Sequence, residues 1–439
     1  MNAFLNRMES LLGGEFEEFL RRYEGENFRG LRVNTLKCSP QRLKELLGIP
    51  LEPTPFCPNG FYIPADVQSL GNHPLHRCGA FYIQEPSATS AVEMLGVEEG
   101  DFVLDLCAAP GGKSTQIGAK LNRTGLLWSN EIVRGRANIL LSNIERMGIP
   151  NAVVSNAHPE ALCERLSERF DKVLVDAPCS GEGMFRRNSE AQTEWSEEHV
   201  RSCAERQLHI LDSAKKALKP GGVMVYSTCT FSREENEGVM ERFLAENPDF
   251  HLEDAGVSFG RPAMEHARRI FPMDGGEGHF AARLRKSGES LPTDFRSAAG
   301  KADSEILSFY DSLFEDRPFG ENISVVKDKI YILPKNYFCD TKGLPILRAG
   351  VVLGEIVKRR FEPHHSAFTA ARPEDCKNAV DLVVDSADIR AYLHGEEIAV
   401  SSALRGYTAV AVSGMTAGFG KASGGRLKNK YPKGLRTLQ

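Results

Sequence analysis

Phe102-Val103-Leu104 runs directly into Asp105-Leu106-Cys107-Ala108-Ala109-Pro110-Gly111-Gly112-Lys113-Ser114, and this join constrains the fold more than any other stretch. A short apolar run ending in an acid, then a glycine turn, then helical spacing, reads as strand, turn and helix start. Glycines at such a turn let the backbone approach a ligand closely, with the free N–H groups of the helix aimed at it. The nearest competing motif is a P-loop. Its pattern needs glycine where position 107 is cysteine, and Pro110 interrupts the cradle, so a P-loop nucleotidase remains only as a rival.

The same grammar repeats from about 76 to 286. Strands are predicted at Phe102–Leu106, Gly125–Ser129, Ala152–Ser155, Lys172–Asp176, Gly222–Ser227 and Gly278–Leu284. A helix is predicted over Val200–Leu218, stopped by Pro220-Gly221-Gly222. Buried strands alternating with amphipathic helices predict an α/β, Rossmann-like unit with a mostly parallel sheet. Before it, residues 1–75 form an N-terminal extension. Its helical pattern comprises Phe4, Leu5, Met8, Leu11, Leu12, Phe16, Phe19 and Leu20, and a short strand follows at Leu31–Thr35. Residues 286–303 read as a linker, followed by two strand-rich pieces, a small α+β domain at 304–360 and a last domain at 361–439.

A chain of 439 residues is too long for one ordinary core, and 41% hydrophobic with 26% charged residues is a soluble globular composition. No apolar run approaches the roughly 18 residues of a membrane span. Met1 to Arg22 lacks the basic end and apolar heart of a signal peptide. Ten cysteines without a C-x-x-C pair argue against zinc ribbons, bound metal and a secreted disulfide framework, and for the reducing cytoplasm. A monomer is expected.

The net charge of −5 hides a polarised end. Ser401 to Gln439 contains no Asp or Glu but carries Arg405, Lys421, Arg426, Lys428, Lys430, Lys433 and Arg436, with Tyr407, Phe419 and Tyr431 interleaved. Such a segment can neutralise phosphates while its aromatic faces stack on bases, so RNA is the expected partner.

Two further motifs end apolar runs: Asp176-Ala177-Pro178-Cys179-Ser180-Gly181 and Ser227-Thr228-Cys229-Thr230. Glu131 ends the strand after the glycine turn, 26 residues beyond Asp105, where a carboxylate can take two ribose hydroxyls. Asn156 ends the third strand and can reach an adenine edge. Two thiols at the carboxyl edge of one sheet beside a cofactor turn suit covalent catalysis on a pyrimidine. A thiolate adding to C6 makes C5 carbon-nucleophilic, and loss of the C5 proton then expels the thiol. Asp176 is placed to hold or protonate ring N3, or to anchor the 4-amino group. Either thiol could be the nucleophile on chemistry alone. Cys107 reads as a packing contact, and the remaining cysteines carry no interpretable spacing.

These motifs, with Leu31-Arg-Val-Asn-Thr35, Gln84-Glu-Pro-Ser87, Asn130-Glu131 followed by Arg136 and Asn143, and Leu427–Leu435, resemble the NOL1/NOP2/Sun family of RNA cytosine-5 methyltransferases. Within it the chain is similar to the bacterial 16S ribosomal RNA methyltransferase F group. The resemblance implies S-adenosyl-L-methionine as cofactor, a Rossmann-like methyltransferase domain and a C-terminal PUA-like RNA-binding domain. It implies small-subunit ribosomal RNA or the 30S subunit as substrate, with transfer RNA as the alternative and a non-catalytic assembly protein as a second rival. It makes Cys229 the nucleophile and Cys179 the second cysteine, which assists proton removal. It gives Cys107, Ala108, Ala109, Pro110, Gly111, Gly112, Lys113, Glu131, Arg136 and Asp176 to the cofactor. Asn156 stands where the family usually has aspartate, and His279 stands where it often has an aromatic and is expected to play no catalytic part.

Overall fold

The computed structural model describes residues 2–290, 303–337, 341 and 343–437. Four short strands, β1 (Gly30–Val33), β2 (Glu52–Pro53), β3 (Gly60–Tyr62) and β4 (Phe81–Gln84), form an N-terminal sheet in the order β2-β3-β1-β4. β4 lies beyond residue 75, so this sheet reaches past the expected boundary into the segment read as catalytic.

The central sheet holds β5 (Phe102–Asp105), β6 (Leu126–Asn130), β7 (Ala152–Ser155), β8 (Phe170–Asp176), β9 (Leu218–Thr228), β10 (Phe250–Leu252), β11 (Arg261–Pro262), β12 (Arg268–Ile270) and β13 (His279–Lys286). Its order is β11-β12-β13-β9-β8-β5-β6-β7, with β10 also pairing on β13. Strands β5 to β9 are parallel and β13 runs antiparallel against β9. The strands read as unbroken apolar runs because both faces are covered. Leu104, Trp128, Val173 and Tyr226 face one core layer, and Val103, Leu127, Leu174 and Val225 face the other.

The predicted strands are present, with one instructive difference. The helix Glu197–Ala217 passes directly into β9 at Leu218, so Pro220-Gly221-Gly222 lies inside a strand instead of ending a helix. Pairing with β8 shifts register there, and a Cβ on Gly222 would meet the Leu218 side chain at 2.6 Å. The proline and glycines mark a bulge.

Of the expected linker, residues 287–290 follow β13 without regular structure and residues 291–302 lie outside the described residues. The strand Ile346–Ala349 does not stay with its neighbours in sequence; it pairs antiparallel with β7 at the edge of the central sheet. The strands Val351–Val357 and Arg360–Pro363 pair with each other, so a hairpin spans the boundary expected at 360/361. The last sheet comprises Ala379–Leu382, Ile398–Ala399, Gly406–Val412, Met415–Ser423 and Arg426–Asn429. It shares one core with the N-terminal sheet: Leu31, Val33, Leu43, Phe61 and Phe81 pack in the same cluster as Ile389, Tyr392, Val410, Leu427 and Tyr431. Lys37 crosses this junction, donating to the carbonyls of Thr369 (2.8 Å) and Thr416 (3.0 Å). Among the described residues no helix is long and apolar enough to cross a membrane.

Candidate active site

The strand order reverses at β5, with β6 on one side and β8 on the other, and open α/β sheets take their ligands in the crevice at such a point. Asp105 ends β5 and is fully buried. Its Oδ2 accepts from Ser114 Oγ at 2.6 Å, while Oδ1 has no partner among the described residues. Burial pushes the Asp105 carboxyl up to about 7.

The turn between Asp105 and the helix Gly112–Lys120 is held from several sides. Ala108 N–H donates to Asn130 O (2.8 Å), Arg136 Nη2 to Ala109 O (3.0 Å) and Asn143 Nδ2 to Pro110 O (2.9 Å). Gly111 has a φ of +114°, which glycine alone adopts without strain. A Cβ on Gly112 would meet Gln84 Oε1 at 2.7 Å. From β1, buried Arg32 donates to Gly112 O (3.1 Å) and Thr115 Oγ1 (2.8 Å), so the N-terminal sheet braces the turn. Cys107 is half-buried against the core, as expected of a packing contact.

At the end of β6, Glu131 is 3% exposed; its Oε1 accepts from Val133 N–H (2.8 Å), and Arg136 Nη1 lies 3.7 Å from Oε2. Asn156 Nδ2 donates to Glu131 O (2.7 Å) and Ile132 O (2.8 Å), which leaves Oδ1 as the atom that can still accept. Ile132 is 52% exposed beside it. A carboxylate, a free amide oxygen and an exposed apolar face around one strand end fit a nucleoside.

Lys113, grouped with the cofactor turn in the sequence, reaches across to the thiols. Its Nζ pairs with Asp176 Oδ2 at 2.8 Å and lies within electrostatic reach of Cys229. Burial works against the lysine charge, but Asp176 overrides it and the ammonium is held more firmly than usual. Burial likewise opposes the Asp176 charge, and Lys113 together with the Ser227 hydroxyl (2.8 Å to Oδ1) outweighs it. The carboxylate is therefore kept ionised, an acceptor and not a proton donor. Of the roles open to Asp176 in the sequence, protonating a ring nitrogen is the one this environment disfavours.

Cys179 and Cys229 meet with their sulfurs 3.3 Å apart. The hydrogen bond to Cys229, then burial, pushes the Cys179 thiol well up. Either sulfur can be the donor in this contact.

Two buried carboxylates lock the loops that carry these sulfurs. Glu235, in the Cys229 loop, accepts from Ser180 N–H (2.9 Å), Ser180 Oγ and Gln207 Nε2 (2.9 Å). Glu182, in the Cys179 loop, reciprocates by accepting from Phe231 N–H (3.0 Å) and Trp195 Nε1 (3.0 Å). Gly183 N–H donates to Cys229 O (2.9 Å), and a Cβ at Gly183 would meet that oxygen at 3.0 Å. Burial pushes Glu235 up to about 6. Above the loops, Phe4, Met8 and Phe19 of the first two helices pack on Phe185, Phe231 and Phe271.

The basic C-terminal segment is narrower than expected. Phe419 and Tyr431 are 4% and 3% exposed; Phe419 stacks on Phe368 and Tyr431 sits in the core shared with the N-terminal sheet, so neither can stack on a base. Lys430 pairs with Glu362 (3.1 Å), Arg426 with Glu397 (3.4 Å), and Arg436 donates to Tyr431 O. Exposed Lys421 and Lys428 are cross-strand neighbours, with Lys421 Nζ 5.3 Å from the half-buried Tyr407 ring.

A sheet ordered β7-β6-β5-β8-β9-β13, a glycine turn after its first strand and acids at the next strand ends define an S-adenosylmethionine-dependent methyltransferase. Residues 92–285 match the model of the 16S rRNA methyltransferase RsmB/F family. Residues 1–86 match the N-terminal domain, 308–369 the first C-terminal domain and 379–437 the PUA domain of RsmF. The chain belongs to this family, as an RsmF-type rRNA methyltransferase. Ribosomal RNA small subunit methyltransferase F of Vibrio vulnificus (strain YJ016) is 34% identical, with 99% of this chain and 97% of that one aligned. The protein of that name from Shewanella piezotolerans is 33% identical over 95% and 93%. A methyltransferase homologue from Pyrococcus horikoshii is 30% identical with a TM-score of 0.59, covering 65% of this chain and 95% of that one. NSun6 from Pyrococcus horikoshii, solved with SFG, an S-adenosylmethionine analogue, shares the fold at 23% identity and TM-score 0.59, over 65% and 98%.

Ser227, Glu182, Glu235 and Arg32 carry the site's geometry and were given no role from sequence. Glu182 directly follows the Asp176–Gly181 motif; for Glu235 no spacing signals the partner loop.

Proposed function

We propose that the chain methylates C5 of a cytosine in 16S rRNA through a transient bond between Cys229 and C6, with Cys179 assisting release. The observation that carries this reading is the thiol pair, 3.3 Å apart, beside the Lys113–Asp176 ion pair. S-adenosylmethionine supplies a methyl group on a sulfonium centre when bound. Glu131 would take its ribose hydroxyls, Ile132 and Asn156 Oδ1 its adenine, and the turn Cys107–Lys113 with Arg136 would line the rest.

Cys229 adds as thiolate to C6; the S–C6 bond forms and the C5=C6 electron pair becomes available at C5. Asp176, ionised, accepts from the 4-amino group, and Lys113 places a positive charge beside the sulfurs. C5 takes the methyl group and still carries its proton. Cys179, beside the adduct, then assists departure of the C5 proton, which passes to solvent. The C5=C6 bond reforms, the S–C6 bond breaks, and Cys229 leaves as thiolate. The RNA is gripped by the C-terminal domain, with the target base extruded from its stack. The same reading has a cytoplasmic monomer working on small-subunit RNA or the 30S subunit.

Cys229→Ala should abolish both methylation and adduct. Cys179→Ala should instead accumulate a protein–RNA adduct that survives denaturing electrophoresis. If Cys229→Ala kept activity, or Cys179→Ala turned over normally without adduct, the assignment would be overturned. Bisulfite mapping of rRNA from cells with and without the gene locates the target cytosine.

A further inference from the structure

His279 opens β13, where Phe280 pairs with Thr228, so the imidazole lies one step further along the ladder towards Cys229. It is 2% exposed, and neither ring nitrogen has a hydrogen-bond partner among the described residues. Nε2 stands 3.8 Å from Asp176 Oδ1, too far for a hydrogen bond. A buried polar atom without a partner is rare; the Gly278 backbone lies close to this ring but makes no hydrogen bond of ordinary geometry with it. Burial and the Lys113 ammonium push the ring down to about 3, so it is neutral at working pH, with one N–H to donate. The neighbouring Asp176 is ionised and can only accept. An acceptor and a donor thus stand side by side, too far apart to satisfy each other.

We propose that His279 reads the target base, its Nε2–H donating to cytosine N3 while Asp176 accepts from the 4-amino group. This rests on the pocket being a cytosine C5 site. Cytosine offers an amino donor at C4 next to a bare N3 acceptor. Uracil offers an O4 acceptor next to an N3–H donor, so both contacts invert and leave buried polar groups opposed. Addition of Cys229 at C6 also moves electron density onto N3, so the His279 hydrogen bond strengthens as the adduct forms. His279 is then a base-specificity residue, a role the sequence reading withheld from it.

The test uses 16S rRNA carrying 5-fluorocytidine, or 5-fluorouridine, at the mapped target position. Fluorine at C5 cannot depart as the proton does, so the covalent complex persists and its formation rate is read on a denaturing gel. His279→Phe keeps an aromatic ring and removes both nitrogens; His279→Gln keeps an N–H donor. The wild type should form adduct much faster on 5-fluorocytidine than on 5-fluorouridine. His279→Phe should slow the 5-fluorocytidine reaction by about 10- to 100-fold, the worth of one buried hydrogen bond, and narrow the ratio between the two bases. His279→Gln should recover part of both. All three proteins should melt higher with S-adenosylmethionine, as intact folds do. Unchanged rates in His279→Phe, or rates falling in parallel at a fixed ratio, overturn the proposal; the second result would leave His279 only a support for Asp176. If the wild type methylates ordinary RNA yet forms no adduct with 5-fluorocytidine, the covalent reading itself fails and takes this inference with it.

Discussion

Replacing Glu235 with alanine removes the acceptor that ties the Cys179 loop to the Cys229 loop. Ser180 N–H and one of the two Gln207 Nε2 hydrogens lose their acceptor in a buried setting, the other Gln207 hydrogen keeping Pro178 O (3.1 Å), while Ser180 Oγ can turn to Thr230 Oγ1, 2.9 Å away. Two stranded donors, each worth about 1–3 kcal/mol and partly relieved by relaxation, give a loss of about 2–4 kcal/mol. For a cooperative unit the size of the catalytic domain this lowers the melting temperature by roughly 5–15 °C. Methyl transfer should fall by about 100-fold, because the sulfurs lose their register. Glutamine behaves differently. Its oxygen can replace Oε2 and accept from Ser180 N–H and Gln207, and its nitrogen can donate to Ser180 Oγ, which then donates to Thr230. Glu235→Gln should therefore stay within a few-fold of wild type. Thermal melts and single-turnover transfer from methyl-tritiated S-adenosylmethionine measure both variants. If Glu235→Ala melts and reacts like wild type, the clamp holds nothing; if Glu235→Gln is as damaged as alanine, charge and not hydrogen bonding is what matters.

Two further outcomes follow from other parts of the chain. Asp105, pushed from 3.8 up to about 7, keeps its proton in the folded chain over a range where the unfolded carboxyl has lost it. The native state then binds more protons than the unfolded one between those values, so this group's contribution to stability declines as pH rises across that window. Melts from pH 5 to 8 should fall more steeply for wild type than for Asp105→Asn, and equal slopes would contradict the burial argument. Exchanging Lys421 and Lys428 for glutamine should weaken binding to 16S rRNA and reduce its logarithmic salt slope by about 0.7–0.9 per lysine, with cofactor binding intact. An unchanged slope would put the RNA elsewhere.

The strands of the central sheet and both thiol loops were legible because each is a local signal: an apolar run ending in an acid, proline or glycine. The pairing of Cys179 with Cys229 followed from their strand ends alone. Contacts set by tertiary placement were not legible. Lys113 belongs by sequence to the glycine turn, yet its long side chain crosses β5 to Asp176. Phe419 and Tyr431 look like stacking platforms in a basic tail, but Phe419 points inward from its strand onto Phe368, and Tyr431, just past the last strand, is buried in the core shared with residues 31–81. Pro220–Gly222 has the composition of a helix stop and serves as a bulge, since β8 was already in place to pair with Leu218. His279 departs from the aromatic its position often holds, and its meaning lies in ring nitrogens left without hydrogen-bond partners among the described residues.

The interior common to the first and last sheets has an implication for biosynthesis. As the nascent chain emerges, Leu31, Val33 and Phe81 find Leu43, Phe61 and Leu75 of their own segment, but the rest of this cluster is supplied only when Val410, Leu427 and Tyr431 have been translated. Arg32, on the same early strand, steadies the turn at Gly112. Full burial of the sheet that braces the methyl-donor turn therefore waits on completion of the polypeptide.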